Sequence, residues 1–165
     1  MAELLRDQGT LPLVEALQPA PAPVPPPPVA GHAGLKVMVV DDNADAAELL
    51  GVWLETQGYQ VTVKTDARDA LATARVDPAD VYVLDIGLPE MDGNELARRL
   101  RADPRTRKAT LIALTGYGQA QDILQSREAG FDQHFVKPAD PTRLATVIGV
   151  LAAERLQPGG AATYP

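Results

Sequence analysis

Residues 81–93 read VYVLDIGLPEMDG, and the fifth letter decides how the rest is taken. Val81 to Leu84 are apolar without alternation, the pattern of a strand covered on both faces of a parallel sheet. The run ends on a carboxylate, Asp85. Desolvating an unpaired carboxylate is costly, so Asp85 is a solvent-facing strand end, a cap for the next helix, or a group with a chemical purpose.

The same passage from apolar strand to amphipathic helix recurs on either side. Strand-like segments are VMVV (37–40), YQVTV (59–63), VYVL (81–84), TLIAL (110–114) and HFV (134–136). The first helix, from Ala44, is expected to turn Ala46, Leu49, Leu50, Trp53 and Leu54 inward and to stop at Gly58. Asp66 is placed to cap a second helix that carries Ala67, Ala70, Leu71 and Ala74. Asp92 or Gly93 opens a third, with Leu96 and Leu100 inward, and a fourth covers residues 120–129 before Gly130. Pro141 starts a fifth with Leu144, Val147, Ile148 and Leu151 spaced for burial. Five strand–helix repeats predict an α/β fold, a parallel sheet with helices on both faces.

The flanks differ in kind. Residues 17–31, LQPAPAPVPPPPVAG, hold seven of the fifteen prolines and suit an extended spacer of about 3.1 Å per residue. The expected division is a flexible segment over residues 1–33, a folded domain over 34–154 and a flexible tail over 155–165. Without cysteine there are no disulfides or thiolate metal sites, and two histidines, His32 and His134, cannot build a multi-histidine centre. No apolar stretch approaches the roughly 20 residues that span a bilayer. The opening MAELLRDQGT has no signal-peptide pattern, so a cytoplasmic protein without membrane contact is expected. A net charge of −7 with only four lysines argues against nucleic acid as a partner. Arg98, Arg99, Arg101, Arg105 and Arg107 do cluster, and are read as a solvated helix end and loop.

In open parallel sheets, ligands gather at the carboxyl ends of the strands. Here those ends carry Asp41 and Asp42, then Asp85, Thr115 and Lys137, while Thr65 and Asp66 after the second strand suit capping. Each signal alone has a plain reading: Asp-Asp as a turn and cap, Thr115-Gly116 as a turn, Lys137-Pro138 as a surface step. Together they bring three carboxylates, a hydroxyl and an ammonium to one edge. Crowded carboxylates suit Mg²⁺, which takes oxygen ligands and a substrate phosphate. With the ammonium and hydroxyl to meet phosphoryl oxygens, one carboxylate can act as nucleophile and form an aspartyl phosphate.

VMVVDDN, VLDIGLPEMDG, LIALTGYG and HFVKP resemble the motifs of response-regulator receiver domains of two-component signalling, over residues 35–153. The resemblance implies a flavodoxin-like (βα)₅ fold in strand order 2-1-3-4-5, acting as a phosphoacceptor in a phosphorelay rather than as an enzyme. Asp85 would accept the phosphoryl group from a histidine kinase or histidine phosphotransfer protein. Asp41, Asp42, Asp85 and the carbonyl of Gly87 would hold Mg²⁺. Thr115, with Gly116 after it, would be the switch hydroxyl, and Lys137 would bind the phosphoryl group. The bond before Pro138 is expected to be cis. Gly87 and Tyr117 occupy the positions that tune dephosphorylation, and their character predicts a long-lived phosphoprotein. DIGLPEMDG with LTGYGQ looks most like receivers of hybrid kinases. One departure is His134, which stands where the family usually has Tyr or Phe.

Two rivals are weighed against it. A Mg²⁺-dependent phosphohydrolase with an aspartyl nucleophile would want an acid two residues later, where this chain has Ala44 after Asp42 and Gly87 after Asp85. A protein-interaction module that is never phosphorylated would lack one or more site residues, and all are present.

Overall fold

Val81–Asp85 is buried along its whole length and is the middle strand of five. The structure is a computed structural model that describes residues 34–116 and 120–156. The proline-rich segment, Tyr117 and residues 157–165 lie outside the described residues, whereas Arg155 and Leu156, expected in the flexible tail, continue the last helix, where Arg155 pairs with Asp132. In chain order the elements are β1 (Lys36–Val40), α1 (Ala44–Thr56), β2 (Gln60–Lys64), α2 (Ala67–Val76), β3 (Val81–Asp85), α3 (Gly93–Ala102), β4 (Thr110–Thr115), α4 (Ala120–Ala129), β5 (Gln133–Val136) and α5 (Pro141–Leu156). The sheet runs β2-β1-β3-β4-β5 with every pairing parallel. This is the flavodoxin-like order. Its direction reverses between β1 and β3, so the crevice at the carboxyl edge opens between Asp41 and Asp85.

Alternation along each strand divides the core into two layers. Met38, Val40, Tyr82, Leu84 and Leu111 face Ala70, Leu71, Leu96 and Leu100 of α2 and α3. Val37, Val39, Val83 and Ile112 face Ala47, Leu54, Leu144 and Ile148 of α1 and α5. Each large apolar side chain so buried contributes about 1.5–3 kcal/mol. The caps are local: Asn43 accepts from Ala46 N–H, Asp66 from Arg68 and Asp69, and Asp92 from Glu95.

Two features differ from the sequence expectation. In α1 the buried positions are Ala47, Gly51 and Leu54, whereas Ala46 is exposed and Leu49 is 75% exposed. The reason is Gly51, which lies against β2: a Cβ there would stand 2.9 Å from Val63 Cγ2. The helix presses its glycine onto the sheet, so Ala46 and Leu49 turn outward while Leu50 and Trp53 still pack against the core and Leu54 is fully buried, as expected.

Arg101, expected in solvent, is instead an internal clamp. Its guanidinium donates to the carbonyls of Gly130 (3.0 and 2.8 Å), Arg107 (2.6 Å) and Ala109 (2.7 Å), and to Asp132 (2.9 Å). Asp132 also accepts from Arg155 of α5 and from the Leu111 amide. These bonds fasten α3 to the turn before β5. Arg101→Ala should cost about 2–3 kcal/mol in urea unfolding, because a charged donor leaves several carbonyls unmet. Arg99→Ala, which removes an exposed pair with Glu95 that solvent screens, should leave the urea midpoint nearly unchanged.

Candidate functional site

Parallel strands deliver their carboxyl ends to one edge, and four of the five bring polar groups together there. Asp41 and Asp42 follow β1, Asp85 ends β3, Thr115 ends β4, and Lys137 follows β5. Asp41, Asp85 and Thr115 are buried, while Asp42 is exposed. One oxygen from each of Asp41, Asp42 and Asp85 lies within 4.8 Å of the others.

Lys137 bridges two of these acids. Its Nζ stands 2.7 Å from Asp41 Oδ2 and 3.1 Å from Asp85 Oδ2. Asp41 Oδ1 accepts from Asn43 N–H, and Asp85 Oδ1 accepts from Gly87 N–H, each at 3.0 Å. Burial pushes the Asp85 carboxyl above the ordinary carboxylate range, against the Gly87 N–H and the ammonium, with Asp41 adding to the rise. Burial alone would lower the Lys137 ammonium, but its bonds to Asp41 and Asp85 outweigh that and hold it above the usual lysine value. The backbone N–H of Lys137 donates to Thr115 O at 2.7 Å, tying the ends of β4 and β5. The bond from Lys137 to Pro138 is cis.

Three carboxylates against one ammonium leave two negative charges among hard oxygen donors, a set that fits a divalent cation such as Mg²⁺. A Cβ at Gly87 would stand in ordinary van der Waals contact with Asp85 Oδ1, at 3.7 Å, so any side chain there would border the carboxylate. Gly116, just beyond Thr115, is exposed.

His134 stands apart from this cluster. It pairs in register with Ala113, and its ring centroid lies 6.1 Å from that of Phe131. Its Nε2 is buried with no hydrogen-bond partner among the described residues. Burial, helped by Arg127 of α4, pushes the imidazole below its ordinary value. The folded protein therefore takes up a proton there less readily than the unfolded chain. Stability should fall as the pH drops from about 6.5 toward the folded value. An NMR titration should put the His134 midpoint below 6.5, and His134→Gln should flatten the slope of stability against pH in that window.

Sequence reasoning missed two features. Gly93 packs on the backbone of Asp85, and its N–H donates to Ile86 O at 3.0 Å. A groove of about 650 Å³ opens beside Asp41 and Lys137, walled by Leu49, Leu50, Trp53, Pro138, Ala139 and Pro141. The apolar stripe of α1 was the available signal, but it reads equally as a core face.

Residues 37–149 match the family described as the response regulator receiver domain. The chain belongs to that family. It is 36% identical over 116 residues to an uncharacterized 14.6 kDa protein of Leptolyngbya boryana, covering 70% of this chain and 88% of that one. It is 35% identical over 111 residues to the phosphate regulon transcriptional regulatory protein PhoB of Pseudomonas aeruginosa, covering 67% of this chain and 48% of the other. It thus spans about half or less of several longer regulators that it matches. The crystal structure of the receiver domain of a signal transduction histidine kinase from Syntrophus aciditrophicus superposes with a TM-score of 0.68 at 28% identity, over 78% of this chain and 98% of that one. No helix among the described residues is long and apolar enough to cross a membrane.

Proposed function

We propose that Asp85 accepts a phosphoryl group from a phosphohistidine of a histidine kinase or histidine phosphotransfer protein in the cytoplasm. The observation that carries this is the set of three carboxylates closed by Lys137 on the carboxyl edge. An Asp85 oxygen attacks phosphorus, the new O–P bond forms as the P–N bond breaks, and the imidazole leaves with that electron pair. Asp41, Asp42, Asp85 and the Gly87 carbonyl would hold Mg²⁺, which supplies positive charge for the phosphoryl oxygens. Lys137 exchanges its contact with Asp85 for a phosphoryl oxygen, and the Thr115 hydroxyl donates to another. The chain acts as an acceptor rather than a turnover catalyst.

Drawing Thr115 toward the phosphoryl group shifts the end of β4, and with it the population of the α4–β5–α5 face. That face exposes one large apolar side chain from each element: Leu124, Val136 and Val150. His134, on β5 two residues before Val136, joins the rearrangement.

Beryllium fluoride, a phosphoryl mimic, tests the reading directly. Amide shifts at Thr115, Val136 and Lys137 should saturate with it only when Mg²⁺ is present. Equal responses without Mg²⁺, or none with it, would remove the assignment. The groove beside the site gives the donor a place to seat, so Leu49→Asp should slow transfer from a cognate kinase about tenfold. Labelling by acetyl phosphate, which needs no docking, should not change.

A further inference from the structure

We infer that the groove beside α1 docks the chain's own proline run, VPPPP at residues 24–28, lying along it as an extended polyproline helix. The groove is about 650 Å³ and runs between α1 and the start of α5. Its walls are open rather than core: Ala46, Leu49 and Pro138 are exposed, and Leu50, Trp53 and Pro141 are half-buried. Trp53, the chain's one tryptophan, is the aromatic wall. Its Nε1 is buried with no acceptor among the described residues, and a donor left so destabilises until a carbonyl reaches it.

Proline-rich segments bind aromatic-walled grooves. Their rings pack on the aromatic face, every polyproline carbonyl is a free acceptor, and proline brings no N–H of its own. A tilt of the half-buried indole is enough to give its N–H such a carbonyl. Charge does not oppose the contact, because residues 17–31 carry none. Attachment also fits. The Gly34 N–H donates to Gly58 O at 3.3 Å, so the preceding chain joins the domain beside the C-terminal end of α1. Trp53 stands in the last turn of that helix. Residues 29–33 reach about 15 Å in extended form, enough to set residue 28 on the indole. From Trp53 to Ala46 is about 10 Å of helix, which residues 24–28 cover with about 15 Å of polyproline. So short a tether gives an effective concentration on the order of millimolar. A run that binds at about 0.1 mM as a free peptide is then docked about ten to one. The docked run occupies the seat proposed for the phosphoryl donor and slows transfer from it. That consequence rests on the phosphoacceptor reading; the docking does not.

The chain has no cysteine, so Ala22→Cys carries a single nitroxide on the full chain. It should broaden the amides of Ala46 and Lys137, at the far end of the groove, more than those of Gly34 and Gly58, where the segment is anchored. Changing Pro25, Pro26, Pro27 and Pro28 together to Gly should reduce that broadening about threefold or more and shift the Trp53 indole N–H resonance. Leu49→Asp, at a position 75% exposed, should reduce the broadening in the same way. Broadening strongest at Gly34 and Gly58 would overturn the proposal. So would broadening or an indole resonance that ignores the glycines, or broadening seen only between a spin-labelled chain and an isotopically labelled second chain. Labelling of Asp85 plays no part in these readouts, so failure of the phosphoacceptor reading and failure of the docking are told apart.

Discussion

Asp85→Ala incubated with acetyl phosphate and Mg²⁺ should show no phosphoryl adduct by intact mass, where the unaltered protein gains one. The loss should be complete, because a neighbouring carboxylate cannot substitute. Asp41 is held through both oxygens, by Asn43 N–H and by Lys137. Asp42 is exposed and has no bond to the ammonium. Asp85→Asn, which preserves shape and the bond from Gly87 N–H, should be equally inert, so a packing defect cannot account for the result. Excess chelator should stop labelling of the unaltered protein, since two net negative charges then repel the incoming phosphoryl group. A full adduct on either variant, or undiminished labelling in chelator, would remove Asp85 from the chemistry.

Gly93→Ala should damage both stability and phosphoryl acceptance. An added Cβ would lie 2.4 Å from the Asp85 carbonyl oxygen, 2.8 Å from Ile86 Cα and 3.0 Å from the Asp85 carbonyl carbon. All three atoms are backbone at the end of a fully buried strand and cannot swing aside. Either α3 backs away or Asp85 shifts, and overpacking of this kind costs about 1–3 kcal/mol or more. Because the shift falls on the nucleophile, the labelling rate per folded molecule should also drop, by about tenfold or more for a displacement near 1 Å. Gly51→Ala is the matched control. Its Cβ would meet Val63 Cγ2 at 2.9 Å, a side-chain atom on the edge strand β2, away from the nucleophile. That variant should lose stability and keep its labelling rate. If Gly93→Ala labels as fast as the unaltered protein, the loop tolerates displacement and Gly93 is only a packing residue.

Much of this was legible before any coordinates, for a physical reason. In a parallel sheet every strand points the same way, so residues at the ends of separate strands must share an edge. Asp41, Asp42, Asp85, Thr115 and Lys137 could therefore be grouped from alternation alone. The caps at Asp66 and Asp92 were equally local, because a side chain bonding an amide two or three residues on needs no tertiary partner.

Tertiary structure decided what depends on distance between elements. Which face of α1 turns inward follows from how closely Gly51 approaches β2, and periodicity cannot report a gap to another strand. Arg101 looked like its exposed neighbours Arg98 and Arg99, yet its five bonds reach residues 6 to 31 positions away. Gly93 could be placed at a helix start, but its contact with the Asp85 backbone appears only when the loop closes. Likewise, Lys137 was expected to bind a phosphoryl group, but that it bridges Asp41 and Asp85 in the folded chain is visible only in the packed structure. Sequence pattern carries direction and order along the chain; the separations of non-bonded atoms, on which repulsion and ion pairing steeply depend, exist only once the elements have packed.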